Sequence, residues 1–180
     1  LGIALGGLTK GVSPEQMASA YTAFANKGVR VQPRFVTKIV DANGKVVVDN
    51  TAVKENRVTT EEVAKKMTSM LLTVYGSEGL GAPFSPAGKT IAGKTGTTEA
   101  INNDNGSRDQ WMIGYTPDVV VATWMGYDQS GNYSLSASSR EGVGPLFKLE
   151  MEGLLQFTAN TPFNVEAVKT KQNNQNNNSN

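Results

Sequence analysis

The residues best placed to do chemistry are Lys94-Thr95-Gly96-Thr97, a cation, a hydroxyl, a bare backbone position and a second hydroxyl in one short run. Two readings compete for them. Gly88-Lys89-Thr90-Ile91-Ala92-Gly93-Lys94-Thr95 matches G-x-x-x-x-G-K-[ST]. In a phosphate-binding loop the backbone N–H groups of that pattern cradle phosphates, the lysine reaches the outer ones and the threonine holds Mg²⁺. Such a loop needs a strand before Gly88 and a helix beginning near Lys94. The segment on its N-terminal side is instead the breaker-rich Gly81-Ala82-Pro83-Phe84-Ser85-Pro86. On its C-terminal side stand Gly96-Thr97-Thr98 and an Asn/Gly-rich stretch, poor helix material. Nucleotide binding is therefore the remote alternative.

The rival reading places the run on a strand. Alternate side chains then share a face, Lys94 with Gly96 and Thr95 with Thr97. A cation and hydroxyl donors along a strand edge suit an extended peptide that ends in a carboxylate and adds as a further strand. Gly96 would let a ligand backbone approach closely. The plain alternative is a Thr-rich strand with a solvated lysine.

Composition narrows the chemistry further. The chain has 180 residues, enough for one well-buried core, with 17 basic and 16 acidic side chains and a net charge of +1. That balance makes no electrostatic case for nucleic acid. It contains no His and no Cys, so zinc sites of the usual kind, iron–sulfur clusters and Ser-His-Asp or Cys-His machinery cannot be built from it. Acid–base work falls to Lys, Asp, Glu or Tyr, and no metal or cofactor is expected. No apolar run approaches the roughly 20 residues that span a bilayer.

The elements that must position the run can be read from caps and periodicity. Ser13-Pro14-Glu15-Gln16 predicts a capped helix start, Met17, Tyr21 and Phe24 its apolar stripe, and Asn26-Lys27-Gly28 its end. Arg34 to Val40 and Lys45 to Asp49 predict a hairpin about Asp41-Ala42-Asn43-Gly44. Thr59-Thr60-Glu61-Glu62 predicts a second capping box, with Val63, Met67, Met70, Leu71 and Val74 facing the core and Gly76 as the stop. Strands are expected over Lys89 to Thr98, Gln110 to Tyr115 and Val119 to Tyr127, the last two antiparallel across Thr116-Pro117-Asp118. Residues 128–143 read as a Ser/Gly-rich loop, and Pro145 as the opening of a helix with Phe147, Met151, Leu154 and Leu155 on one side. Asp109 and Glu99 read as solvated loop acids, and Trp111 as sheet packing. The fold class is α+β, helices packed on an antiparallel sheet.

Longer segments carry a resemblance. Ala92-Gly93-Lys94-Thr95-Gly96-Thr97-Thr98, Asp109-Gln110-Trp111-Met112-Ile113-Gly114-Tyr115-Thr116-Pro117-Asp118 and Trp124-Met125-Gly126-Tyr127-Asp128 resemble the end of the transpeptidase domain of class A penicillin-binding proteins. Upstream, Leu5-Gly6-Gly7, Val12-Ser13-Pro14, Met17 to Tyr21 and Phe24 to Gly28 are similar to the helix and hairpin of that family, in order. The resemblance implies the penicillin-binding-protein/serine β-lactamase-like fold, present as its C-terminal portion over residues 1–160; residues 161–180 lie outside it and read from their composition as a polar, Asn-rich disordered tail.

It implies a function as well. The family cross-links peptidoglycan by acting on D-Ala-D-Ala stem peptides through an active-site Ser of an S-x-x-K element, with an S-x-N element passing protons. β-Lactams mimic the substrate and inhibit it. By this likeness Lys94 is the catalytic cation, Thr95, Gly96 and Thr97 bind substrate, and the Thr97 N–H forms half of the oxyanion hole. No Ser here has a Lys three residues later, and Ser130-Gly131-Asn132, which spells S-x-N, comes after the K-T-G run where the family's precedes it. The nucleophile, its Lys and the true S-x-N are therefore expected on an upstream segment of the same protein, and this chain alone is expected to be inactive. The expected location is the extracytoplasmic face of the bacterial membrane, anchored outside this chain. The open alternatives are a DD-carboxypeptidase or β-lactamase of the same fold, and a non-catalytic ligand-binding module.

Overall fold

The first helix, α1 (Pro14–Ala25), starts as its chemistry dictates. Ser13 Oγ accepts from the Gln16 N–H while the Gln16 side chain accepts from the Ser13 N–H at 2.9 Å. Its end needs a glycine. Gly28 has φ +89°, and a Cβ there would collide with the Thr59 carbonyl oxygen, whose own N–H and that of Val58 both donate to the Gly28 oxygen. That turn brings β1 (Val29–Val31) alongside β4 (Glu55–Arg57). Between them β2 (Lys38–Val40) and β3 (Val46–Asp49) form the expected hairpin, closed by Asp41, whose carboxylate accepts from the Asn43 and Lys45 N–H groups at 2.9 Å. The short β1–β4 pair is an addition to the elements expected from the sequence.

The computed structural model describes residues 11–100, 106–128 and 133–165. The Leu5-Gly6-Gly7 segment, Ser130-Gly131-Asn132 and the tail from 166 onward lie outside the described residues.

Helix α2 (Glu61–Leu72) is capped by Thr60, whose hydroxyl accepts from the Val63 N–H. Its buried face is Ala64, Thr68 and Leu71, which corrects the expected stripe. Val63 and Met70 are exposed, because small residues let the helix lie close to the sheet and turn its bulkier side chains outward. The helix ends at Leu72, before the expected Gly76, and a 3₁₀ turn at Ala82–Phe84 leads toward the sheet.

That sheet is β5 (Ala92–Glu99), β6 (Ser107–Tyr115) and β7 (Val120–Gly126), antiparallel in the order β5-β6-β7. Helix α3 (Val143–Leu155) packs on β6 and β7 and begins two residues before Pro145. It buries Val143, Phe147, Met151 and Leu155 but leaves Leu154 exposed, against expectation. The sheet is therefore covered on both faces. On one lie Met112, Val121, Phe147 and Met151, with Tyr75 stacked on Phe147 at 5.5 Å. On the other, Tyr115 meets Tyr21, Phe24 and Phe163, and its hydroxyl shares a 2.9 Å hydrogen bond with Thr68. Contacts extend past residue 160, since Thr161 donates through its N–H and hydroxyl to the Asp118 carboxylate. The fold class expected from the sequence is the one observed.

Candidate functional site

The Lys94-Thr95-Gly96-Thr97 run lies in the middle of β5, an edge strand. On one side it is locked to β6, Lys94 opposite Ile113, Thr95 opposite Met112, Gly96 opposite Trp111 and Thr97 opposite Gln110. On the other side no strand pairs with it among the described residues. This placement overturns the phosphate-loop reading. Lys94 and Thr95 sit inside a strand rather than at a helix N-terminus, so no cradle of N–H groups forms around them.

Two glycines show what the strand must accommodate. A Cβ at Gly93 would strike the Ile113 carbonyl oxygen and lie 2.8 Å from the Tyr75 ring, so the fold itself requires glycine there. At Gly96 a Cβ would meet only the Trp111 Cβ, at 3.6 Å, an ordinary contact. Nothing inside the sheet demands a bare backbone at Gly96. The open space lies over the exposed side of the strand.

The polar groups divide by face. Lys94 is exposed, and its Nζ donates to the Thr95 carbonyl oxygen at 2.7 Å. Farther along the same face, Thr98 donates to Asp109 at 2.8 Å and accepts from the Asp109 N–H at 3.0 Å, while Trp124 Nε1 donates to the other carboxylate oxygen at 3.0 Å. Asp109 is thus a half-buried member of β6 that ties three strands together, not a solvated loop acid. Trp111 leans on Trp124 at 6.2 Å, as sheet packing requires. Glu99 closes β5 and is exposed. Glu61 and Glu62 each pair with a lysine four residues on, an exposed helix surface and no catalytic pair.

On the opposite face the Thr97 hydroxyl lies 3.1 Å from that of Ser139. Behind it Gln110, almost wholly buried, donates to the Ser107 hydroxyl at 2.8 Å and to the Ala137 carbonyl at 2.7 Å, and accepts from the Val143 N–H at 3.4 Å. Ser138 donates through its N–H and hydroxyl to Glu141, holding that carboxyl below the usual range. The four expected residues thus share one strand but two faces, Lys94 with Gly96 and Thr95 with Thr97, and Ser139 and Gln110 join them on the threonine face. Ser139 carried no signal in a Ser-rich loop. Gln110 did carry one: it alternates with Met112 on a buried face, where a polar residue needs partners. Among the described residues no acidic cluster suits a metal ion.

Comparison with known proteins gives the strand its context. Residues 2–148 match the penicillin binding protein transpeptidase domain. The chain is 41% identical over 167 residues to penicillin-binding protein 2a of Streptococcus pneumoniae, covering 92% of this chain and 22% of that protein. It is 39% identical over 140 residues to penicillin-binding protein 1F of Bacillus subtilis, 77% of this chain and 19% of that one. The chain spans about a fifth of the length of these curated relatives. Among solved structures, the penicillin-binding protein PonA1 of Mycobacterium tuberculosis superposes with TM-score 0.67 at 33% identity, over 83% of this chain and 41% of that one. The same protein in complex with penicillin V superposes with TM-score 0.66.

Proposed function

This chain belongs to the penicillin-binding protein transpeptidase family, and from that premise we propose that it supplies the K-T-G strand of a serine DD-transpeptidase of class A type. The observation that carries the reading is the position of Lys94-Thr95-Gly96-Thr97 on a β5 edge that no described strand covers. An extended stem peptide ending in D-Ala-D-Ala can lie along that edge by β-augmentation.

Each residue then has a definite task. Lys94, the cation of the run, provides positive potential for the terminal carboxylate and for the proton relay. The Thr95 and Thr97 hydroxyls donate to that carboxylate, and Gly96 leaves room for the peptide backbone. A serine from an upstream segment attacks the penultimate carbonyl, and the oxyanion that forms takes a hydrogen bond from the Thr97 N–H. The carbon–nitrogen bond to the terminal D-Ala breaks, that amine leaves with a proton, and an ester to the serine remains. An amine of a second stem peptide attacks the ester, forms the cross-link and returns the serine its proton. The S-x-x-K and S-x-N elements belong to the upstream segment. Residues 1–160, with Thr161 and Phe163 that pack on the sheet, are the C-terminal portion of this domain, and the protein works on the extracytoplasmic face of the membrane, anchored outside the chain. No helix among the described residues is long and apolar enough to cross a membrane itself.

Labelling with a fluorescent penicillin tests the reading. The full-length protein is expected to become covalently labelled, the 180-residue chain alone is not, and Lys94→Ala in the full-length protein should slow labelling about 100-fold or more, a loss of about 3 kcal/mol of transition-state stabilisation. Labelling of the chain alone, or an unchanged rate in Lys94→Ala, overturns it. Incubation with a D-Ala-D-Ala peptide and an amine acceptor should give the cross-linked product. Hydrolysis alone would mark a carboxypeptidase.

A further inference from the structure

We propose that Ser139 is a positioning residue for the carboxylate-binding hydroxyl of Thr97, an inference that rests on the transpeptidase reading above. The two hydroxyl oxygens are 3.1 Å apart. Each hydroxyl has one proton, so only one of the pair can donate to the other. When Ser139 donates, its proton occupies a lone pair of Thr97, and the Thr97 proton is turned outward toward an incoming anion. Without Ser139 the Thr97 hydroxyl rotates freely, and its proton must be oriented at the moment of binding.

Ser139 is held for this task. Gln110 stands directly across the ladder from Thr97, and its amide grips the segment on both sides of Ser139, at the Ala137 carbonyl and the Val143 N–H. Gln110 also packs closely on this segment, since a Cβ at Gly142 would come within 2.7 Å of its amide oxygen. One further bond fixes Ser139 itself, the Gly144 N–H donating to its carbonyl at 2.9 Å, while the preceding Ser138 is tied to the Glu141 carboxylate through its N–H and hydroxyl. A surface serine with no role beyond solvation would not need its loop bonded through a buried glutamine to the strand beside the site.

The test compares benzylpenicillin with its methyl ester, which lacks the carboxylate, as acylating agents of the full-length protein. Ser139→Ala should lower the second-order acylation rate for the acid about 5–10-fold, the scale of one hydrogen bond, and leave the ester rate within about twofold. Ser139→Thr, which keeps the hydroxyl, should restore the acid rate. An equal slowing of acid and ester, or no slowing of either, overturns the assignment of Ser139. Failure of the unaltered protein to be acylated by the acid would instead overturn the transpeptidase reading and the inference with it.

Discussion

The sheet β5–β7 and the arm formed by residues 29–57 are both antiparallel β-structure, yet they are held together by different forces. In the sheet, β6 is paired on both edges and covered on both faces, with Met112, Ile113 and Tyr115 almost fully buried. In the arm, β2 and β4 are exposed along their whole length, and apolar side chains such as Phe35, at 85% exposure, and Val47, at 62%, face outward. Polar bonds to backbone carbonyls hold it instead, from Arg34 to Asn50 and Thr51 at 3.0–3.1 Å and from Arg57 to Lys27 and Thr59 at similar distances. The site strand lies on the structure held by burial. A strand that must present donors to a ligand at fixed spacing needs a backing that does not shift, and close packing provides that where exposed hydrogen bonds do not.

The contrast breaks most readily at Phe147. This ring is fully buried, stacks on Tyr75 and touches the space where Gly114 lacks a side chain. Phe147→Ala should destabilise the sheet by about 3–5 kcal/mol in urea denaturation, because the cavity adds to the lost transfer energy. A loss comparable to that of an arm substitution would mean that burial is not what backs the site.

Alkaline pH should separate the two regions by a smaller margin. Burial pushes the Tyr115 hydroxyl up to about 12, with the Thr68 hydrogen bond opposing and the neighbouring Tyr21 adding, and burial raises Tyr75 as well. An unfolded tyrosine gives up its proton near pH 10, so the folded state binds more protons above that pH. The stabilisation is complete below about pH 10 and is lost as pH rises through about 12, at roughly 2–3 kcal/mol for Tyr115. The arm contains no tyrosine. Denaturation midpoints and tyrosinate absorbance measured across that window should show the sheet failing alone. A flat profile would remove Tyr115 from the load on the fold.

Legibility in the sequence divides along the same line. Caps are readable because each is a local hydrogen-bonding unit, as in the Ser13–Gln16 box, although at α2 Thr60 caps the Val63 N–H alone and the expected box does not form, Glu62 pairing with Lys66 instead. The antiparallel pairing of β6 and β7 is readable because a short turn leaves no other choice. The features that escape depend on contacts distant along the chain. The inward face of α2 is chosen by the sheet surface that receives Ala64 and Thr68, and hydropathy alone points to Val63 and Met70. The β1–β4 pair joins residues more than twenty positions apart, and each strand is only three residues long. The K-T-G run is legible as a motif, and its edge position is not, since strand order is set by pairing rather than by composition. Ser139 touches Thr97 directly across 42 residues, and the loop that carries it is bonded to Gln110 on β6.

The smallest expected effect is also the sharpest check on the contrast. Phe35 is the most exposed large apolar side chain of the arm and lines an open cleft of about 380 Å³ with Pro33, Val36 and Ala52. Because so little of its surface leaves water on folding, Phe35→Ser should change stability by less than about 0.5 kcal/mol. Native-state hydrogen exchange adds the second half of the argument. If the arm is held by its own exposed bonds, the amides of β2 and β3 should exchange faster than those of β6, and Phe35→Ser should leave the β6 rates unchanged. A shift in β6 protection would show that the arm carries load for the sheet.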